Sequence, residues 1–209
     1  VIIRHLPSPA EANEALFVRG DGEPFATKPD KDAPVIAQVF KIVNDPYIGK
    51  IGVFRVHQGQ ITKDSVLYVD DNKKPIKIAH PLILQGKNTA ETDVLTSGDI
   101  GAAAKIDELR YGSVLHSDPE HSDVRMRPIR FPKPMFGLAI RPARRGDESR
   151  LSDALNKMLA EDPTMEVDHD VVLNETVIRG ITEMHVRSIL ERMKLHFKVE
   201  VESTEPKAM

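Results

Sequence analysis

The sequence contains no cysteine at any of its 209 positions. Disulfides, cysteine-ligated zinc, iron–sulfur clusters and thiol catalysis are therefore excluded, and this composition fits a cytosolic protein. The sequence also lacks any run of 18 apolar residues, which predicts that no helix of the chain crosses a membrane. We therefore expect neither a redox centre based on cysteine nor a membrane partner.

The sequence also has no excess of basic residues over acidic ones. Lys and Arg number 29 against 32 Asp and Glu, which gives a formal net charge of −3. A protein that coats DNA without regard to sequence is expected to be basic, so this charge argues against a DNA partner. The hydrophobic fraction of 40% and the charged fraction of 29% are those of an ordinary globular protein.

The motifs that bind nucleotides are absent too. A phosphate loop needs G-x-x-x-x-G-K-[ST], and neither Gly49-Lys50 nor Gly86-Lys87 has the upstream glycine or the following Ser or Thr. The guanine motif N-K-x-D is not completed at Asn72-Lys73 or at Asn156-Lys157. We therefore predict that this chain neither binds nor hydrolyses GTP.

Residues 1–32 contain Pro and Gly at a density that predicts a connecting segment. Because the first residue is Val1 and not Met, we interpret the chain as a piece of a longer protein. Within this segment Asp21-Gly22 is a turn signal for a small hairpin with the arms Leu16–Val18 and Pro24–Ala26. A plain exposed linker is the alternative interpretation.

Residues 33–117 have the pattern of an all-β domain. Short apolar runs bounded by turn residues predict strands at Val35–Val43, Gly52–Val56, Ser65–Val69, Ile76–Leu84 and Asp99–Ile106. No helical periodicity longer than two turns interrupts them. Several short strands at this spacing indicate a closed or nearly closed antiparallel β-barrel.

Residues 118–130 predict a linker between domains, and residues 131–204 predict a second domain. Amphipathic helices are indicated at Leu151–Leu159 and Val186–Met193, where apolar residues recur at i, i+3, i+4 and i+7. The predicted strands are Phe136–Ile140, Met165–Val167, Val171–Ile178 and Phe197–Val201. The order β-α-β-β-α-β is that of an α+β ferredoxin-like domain, with residues 205–209 left as a tail.

No catalytic or metal site stands out among the polar residues. His116 and His121 lie near three carboxylates, so zinc with carboxylate ligands is one interpretation, but a solvated charge cluster in a linker is favoured. His185 begins the second helix, and a satisfied helix-terminus histidine is favoured there over a catalytic one. We predict no catalytic residue, no metal ligand and no cofactor-binding residue in this chain.

Basic residues cluster at one strand–helix junction of the second predicted domain. Arg141, Arg144, Arg145 and Arg150 lie around the end of the first strand. Guanidinium groups bind phosphates in a bidentate manner, so the cluster could contact RNA backbone. The alternative is a solubilising face that Asp147 and Glu148 neutralise locally.

Several ordered motifs give the chain a resemblance to the translation elongation factor G family. The stretch Asp45-Pro46-Tyr47-Ile48-Gly49-Lys50, with Phe54-Arg55-Val56 after it, is similar to the second domain of that family. Ser97–Ala102 resembles the A-G-D-I-[GV]-A strand of the same domain. In the third domain, Leu155–Thr164 resembles L-x-x-L-x-x-E-D-P-[TS], and Ile178–His185 resembles I-S-G-M-G-E-L-H.

The resemblance implies that the chain holds domains II and III of a cytoplasmic translational GTPase. The GTPase domain, with GTP and Mg²⁺, would precede Val1, and further C-terminal domains would follow Met209. The barrel would dock on RNA and protein of the small ribosomal subunit and pack on the GTPase domain, and domain III would relay the nucleotide state during translocation. The implied ribosome or interdomain contacts are Arg55, Arg141, Arg144, Arg145 and His185.

Departures from the family pattern keep other roles open. Thr182 stands where the family has Gly, and Arg187 stands where an acidic residue is common, features that resemble the elongation factor G-like branch. A paralogue that acts in ribosome recycling or ribosomal protection is therefore an alternative to a translocase. Two alternatives of another class are a small hydrolase on a ferredoxin-like domain and a ligand-sensing regulatory module.

Overall fold

The computed structural model describes residues 2–8, 17–86, 88–170, 173 and 175–207 of the chain. It divides into two compact units, Val1–Pro128 and Ile129–Met209. A four-residue helix, α1 (Ile2–His5), lies near the start of the first unit. No helix among the described residues is long and apolar enough to cross a membrane.

The first unit is built from short antiparallel strands. In chain order they are β1 (Phe17–Val18), β2 (Pro24–Phe25), β3 (Ile36–Asp45), β4 (Gly49–Gln58), β5 (Gln60–Thr62), β6 (Ser65–Val69), β7 (Ile76–Ile78), β8 (Leu82–Gln85), β9 (Asn88–Glu91), β10 (Val94–Thr96), β11 (Ile100–Ala104), β12 (Val114–His116) and β13 (Arg125–Met126). Eight of them form one sheet in the order β7-β6-β12-β3-β4-β11-β8-β9. The predicted β-barrel class is confirmed, in the form of a curled sheet whose two outer strands, β7 and β9, are not paired with each other in the described part of the chain.

The strand bounds differ from the sequence prediction where proline or a tight turn intervenes. The single strand predicted at Ile76–Leu84 is two strands, β7 and β8, because Pro81 has no N–H to donate to a ladder. The strand predicted at Val35–Val43 extends to Asp45, and its partner extends to Gln58. Apolar side chains of this long hairpin, including Ile36, Val39, Phe54 and Val56, are fully buried and supply much of the core.

The segments predicted as linkers on either side of the barrel contain three short strands, which form a sheet of their own within the first unit. Strands β1 and β2 form the small hairpin around Asp21-Gly22, and β13 pairs with β1 in a three-stranded sheet. Phe17 is buried with Val124, which lies inside the predicted 118–130 linker. The compact first unit therefore includes residues 118–128 in addition to the barrel predicted at 33–117. Leu16, the first residue of the predicted hairpin arm, lies outside the described residues.

The second unit has the predicted order of elements. They are β14 (Phe136–Pro142), α2 (Glu148–Glu161), β15 (Glu166–Asp170), β16 (Glu175–Gly180), α3 (Glu183–Phe197) and β17 (Val201–Thr204). The four strands form one antiparallel sheet in the order β15-β16-β14-β17. The ferredoxin-like class is thereby confirmed. Of the strand predicted at Val171–Ile178, residues 171, 172 and 174 lie outside the described residues.

The two helices of the second unit pack one face each into a common core. Leu151, Leu155 and Met158 of α2 are buried with Ile189 and Met193 of α3. Each such side chain stabilises the fold by about 1.5–3 kcal/mol when it leaves water. Helix α2 stops before Asp162-Pro163, where the backbone turns extended, and α3 stops at Lys198, whose φ of 57° is left-handed.

Candidate functional site

The tip of the β3–β4 hairpin presents an aromatic side chain to solvent. Asp45 Oδ1 accepts hydrogen bonds of 2.8 Å from the N–H groups of Tyr47 and Ile48, and Gly49 closes the turn with a φ of 90°. Ile48 packs on the cluster formed by Ile51, Val53, Leu82 and Ala102. Tyr47 is 95% exposed.

This tip shows which residues of the motif Asp45–Gly49 serve the fold. Asp45 holds the turn through its carboxylate, Pro46 has a fixed φ that suits a turn, and Gly49 adopts the positive φ that other residues avoid. The Tyr47 side chain makes none of these contacts, so the fold does not explain why an aromatic residue occupies this position. Sequence reasoning quoted Tyr47 only as part of a motif, although an aromatic residue inside a turn signal could have marked it as a contact residue.

Arg55 lies in the middle of β4, between Gln38 of β3 and Ile100 of β11. Its guanidinium forms no ion pair among the described residues, so the charge is available to a partner. Arg55 also affects His57 two positions further along. Burial, and then the positive charge of Arg55, lower the pKa of His57 to about 4. His57 is thus neutral at pH 7 and packs edge-on against Phe17, with 5.1 Å between ring centroids.

The three arginines predicted as contact residues in the second unit, Arg141, Arg144 and Arg145, do not form a uniform patch. Arg141 is on β14 and pairs with Glu202 of β17, with 2.6 Å from Nη2 and 2.8 Å from Nε to Oε2. Arg144 and Arg145 lie instead in the turn before α2, where the N–H of Asp147 donates to the carbonyl of Arg144 and Gly146 has a φ of 94°. Both turn arginines are exposed, and neither forms an ion pair within the described ranges. Only these two are therefore free to contact another molecule without breaking a pair.

His185 is held inside the second unit by its ring nitrogens. Nδ1 accepts a hydrogen bond of 3.2 Å from the N–H of Ile181, so the proton of the neutral ring is on Nε2, which donates to Asp162 Oδ2 at 2.8 Å. The ring is 21% exposed. This geometry leaves no ring nitrogen for a partner molecule, and it makes His185 a link between the N-terminus of α3 and the C-terminus of α2.

Two motifs that are distant in sequence meet at this link. Asp162 also accepts hydrogen bonds from the N–H of Thr164 at 2.8 Å and from its Oγ1 at 2.6 Å. Burial would raise the pKa of Asp162, but the hydrogen bonds from Thr164 and His185 outweigh it and hold the pKa below its ordinary value. Gly180 lies under the ring, where a Cβ would come within 2.7 Å of His185 Nδ1. Arg192 of α3 and Glu161 of α2 form an ion pair that also joins the two helices.

His116, which ends β12, and His121, which lies in the predicted 118–130 linker, both have structural surroundings. The His121 ring packs edge-on against Phe25, with 5.2 Å between ring centroids. His116 is buried, and its two ring nitrogens lie 2.6 Å from the carbonyl oxygen of Asp118 and 2.8 Å from that of Asp70. No group of three or more His, Asp or Glu residues in the described part of the chain has a metal-binding arrangement. The geometry thus offers four contact residues, of which Arg55 is half-buried and the others are exposed: Tyr47, Arg55, Arg144 and Arg145.

Comparison with known proteins connects these features to one family. The model of elongation factor G domain 2 matches residues 34–118, and the model of elongation factor G domain III matches residues 131–205. The chain is 35% identical over 206 residues to elongation factor G of Thermotoga neapolitana, and 34% identical to that of Thermotoga maritima. These alignments cover 98% of the chain but only 29% and 30% of the relatives' length. A crystal structure of a Thermus thermophilus protein superimposes on 84% of the chain and 26% of that structure, with a TM-score of 0.72 and 29% identity.

The chain consists of a curled β-sheet domain followed by a βαββαβ domain, and each domain matches a family model over its own residues. This arrangement defines the chain as a non-catalytic part of a translational GTPase. Both family models describe the same protein, and together they cover most of the sequence. The chain belongs to the elongation factor G family and contains its domains II and III.

Proposed function

We propose that this chain docks a ribosome-associated GTPase on the small ribosomal subunit and couples its nucleotide state to the ribosome. The observation that supports this most strongly is the β3–β4 hairpin tip. The fold uses Asp45 and Gly49 of the family motif to build the tip, and it leaves Tyr47 fully in solvent. An exposed aromatic ring on a rigid turn suits stacking on unpaired bases of ribosomal RNA.

The second unit contributes in a different way in this proposal. Its turn arginines, Arg144 and Arg145, supply charge for a phosphate-rich surface, where each neutralised phosphate releases counterions. The link between Asp162 and His185 fixes α2 and α3 relative to each other, so the unit transmits movement as one body. The GTPase activity itself, with GTP and Mg²⁺, is assigned to a domain outside this chain.

Ribosome pelleting tests the proposal. The complete protein that carries these domains should pellet with 70S ribosomes in the presence of a non-hydrolysable GTP analogue and much less with GDP. Replacing Arg144 and Arg145 with Ala should weaken this binding and flatten its dependence on salt, while leaving the thermal midpoint of the chain nearly unchanged. Pelleting that is equal with both nucleotides, or that is absent with both, would refute the proposed coupling.

A further inference from the structure

The buried imidazole of His116 contacts two backbone carbonyl groups, one with each ring nitrogen. The residue ends β12 and is 1% exposed. Nδ1 lies 2.6 Å from the carbonyl oxygen of Asp118, and Nε2 lies 2.8 Å from that of Asp70. Both oxygens accept hydrogen bonds and neither can donate one. A neutral imidazole has a single N–H and serves only one of them, whereas the imidazolium has two and serves both.

The two carbonyl groups belong to different turns of the first unit. Asp70 follows β6, and its turn is fixed to β12 because Asp70 and Val114 exchange two hydrogen bonds of 2.9 Å. Asp118 precedes the short 3-10 turn Pro119–His121, on the segment that leads to β13. The ring therefore joins this segment to a turn whose position is already set.

The groups that pack on the ring suit a positive charge there. Tyr68 of β6 stacks on His116, with 5.6 Å between the ring centroids and 21° between the planes. The face of an aromatic ring attracts a cation at this separation. On the other neighbouring strand, β3, the residue opposite His116 is the apolar Ile36. Burial, the largest cause, lowers the pKa of His121, so His121 is neutral at pH 7 and adds no opposing charge.

The charged side chains of the two turns also favour a cation between them. Acidic residues outnumber basic ones within residues 70–75 and 117–124. The first group consists of Asp70, Asp71, Asp118, Glu120 and Asp123, and the second of Lys73 and Lys74. Two arginines from outside these ranges pair with members of the first group, Arg19 with Asp123 and Arg125 with Asp71.

We infer that His116 carries a proton on both ring nitrogens in the folded protein and is a proton-dependent clasp between the turn after β6 and the segment that leads to β13. An imidazole in the unfolded chain has an ordinary pKa of about 6.5 and has released its proton above pH 7. Folding then takes up a proton, so the first unit loses stability as the pH rises above 7. This device is separate from the proposed docking function and does not depend on it.

NMR of the 209-residue chain, labelled with ¹⁵N in its histidine rings, counts the ring N–H groups directly. His116 should show two N–H signals at pH 7, identified through their proximity to the Tyr68 ring. Both should exchange slowly with water because the ring is buried. The internal control is His185, whose Nδ1 accepts the N–H of Ile181 and which should show one N–H. A single N–H on His116 at pH 7 overturns the inference, and this measurement needs no variant.

Urea unfolding followed by tyrosine fluorescence measures the effect on stability. All three tyrosines, at positions 47, 68 and 111, lie in the first unit. Between pH 7 and pH 9 the folding equilibrium constant should fall by up to about tenfold per pH unit. His116→Gln should abolish the fall, since the Gln amide donates hydrogen bonds but does not titrate. His80→Gln, which alters an exposed histidine of the same unit, should keep it.

Other titrating groups do not imitate this result. Burial, and then the charge of Arg55, lower the pKa of His57 to about 4, so His57 is neutral throughout the range. Burial, the largest cause, also lowers the pKa of Lys50, but Lys50 is present in every variant and its contribution cancels in the comparison. An equal pH dependence of the unaltered chain and the His116→Gln chain overturns the inference.

Discussion

Replacing His185 with Ala should destabilise the second unit strongly. The change leaves the N–H of Ile181 without its acceptor, which costs about 1 kcal/mol. It also removes the hydrogen bond to the Asp162 carboxylate, and a bond to a charged group contributes about 1.5–3 kcal/mol. Because both side chains are about one-fifth exposed, water recovers part of this loss. We expect a decrease of about 2–3 kcal/mol in the free energy of unfolding.

Urea unfolding at pH 7, followed by circular dichroism at 222 nm, measures this decrease. The signal reports the second unit, since α2 and α3 are the only long helices in the described chain. The control is His196→Ala, which removes an exposed imidazole in the last turn of the same helix and should change stability by no more than about 0.5 kcal/mol. If the two variants unfold alike, His185 does not link the helices. A double-mutant cycle with Asp162→Ala should show a coupling of at least about 1 kcal/mol.

Three further results are expected. Thr182→Ala should cost about 1 kcal/mol, because the Thr182 hydroxyl accepts the N–H of His185 at the start of α3, whereas Thr182→Gly should cost only a few tenths. The pKa of Asp162 in the fold lies below its unfolded value of about 4, so its ionised form stabilises the protein above that pH, and the stability advantage over Asp162→Asn should disappear as the pH falls further. Trypsin should cut first at Arg130-Phe131, beyond the end of the first unit, and later at Arg125-Met126, which lies in a paired strand.

A specific outcome would contradict each of these three expectations. A loss of no more than a few tenths of a kcal/mol for Thr182→Ala would show that the hydroxyl does not cap the helix. An Asp162→Asn difference that is constant from pH 7 to pH 3, measured by urea unfolding, would show that the carboxylate is not stabilised in the fold. A first tryptic cut after Arg125, identified by mass spectrometry, would place the flexible connection inside 118–126.

The second unit was predictable because its signals are local. The apolar spacing of α2 and α3 and the turn at Asp162-Pro163 are each contained in fewer than about ten residues, so the element order follows from the sequence. The contact between Asp162 and His185 joins positions 23 apart, and no local pattern contains it. Its role as a helix link emerges only when the two motifs are brought together by packing.

The segments near the start and the end of the first unit were harder to predict. Strands β1, β2 and β13 have two residues each, too few for an alternating pattern to be visible. Their stability comes from tertiary burial of Phe17 and Val124, which the proline-rich and charged surroundings conceal. The candidate site shows the same limit: Tyr47 was within a quoted motif, but its exposure is a property of the folded sheet.

The central claim is that these two domains dock on the small ribosomal subunit, and cosedimentation of the 209-residue chain with isolated subunits tests it most directly. The chain should pellet with small subunits at low salt, and the bound fraction should fall steeply as salt rises. Because the Tyr47 side chain is exposed, the Tyr47→Ala chain should keep its fold and bind more weakly. Large subunits should retain little of it. A chain that stays in the supernatant with small subunits at low salt, or that pellets equally with both subunits, would contradict the account.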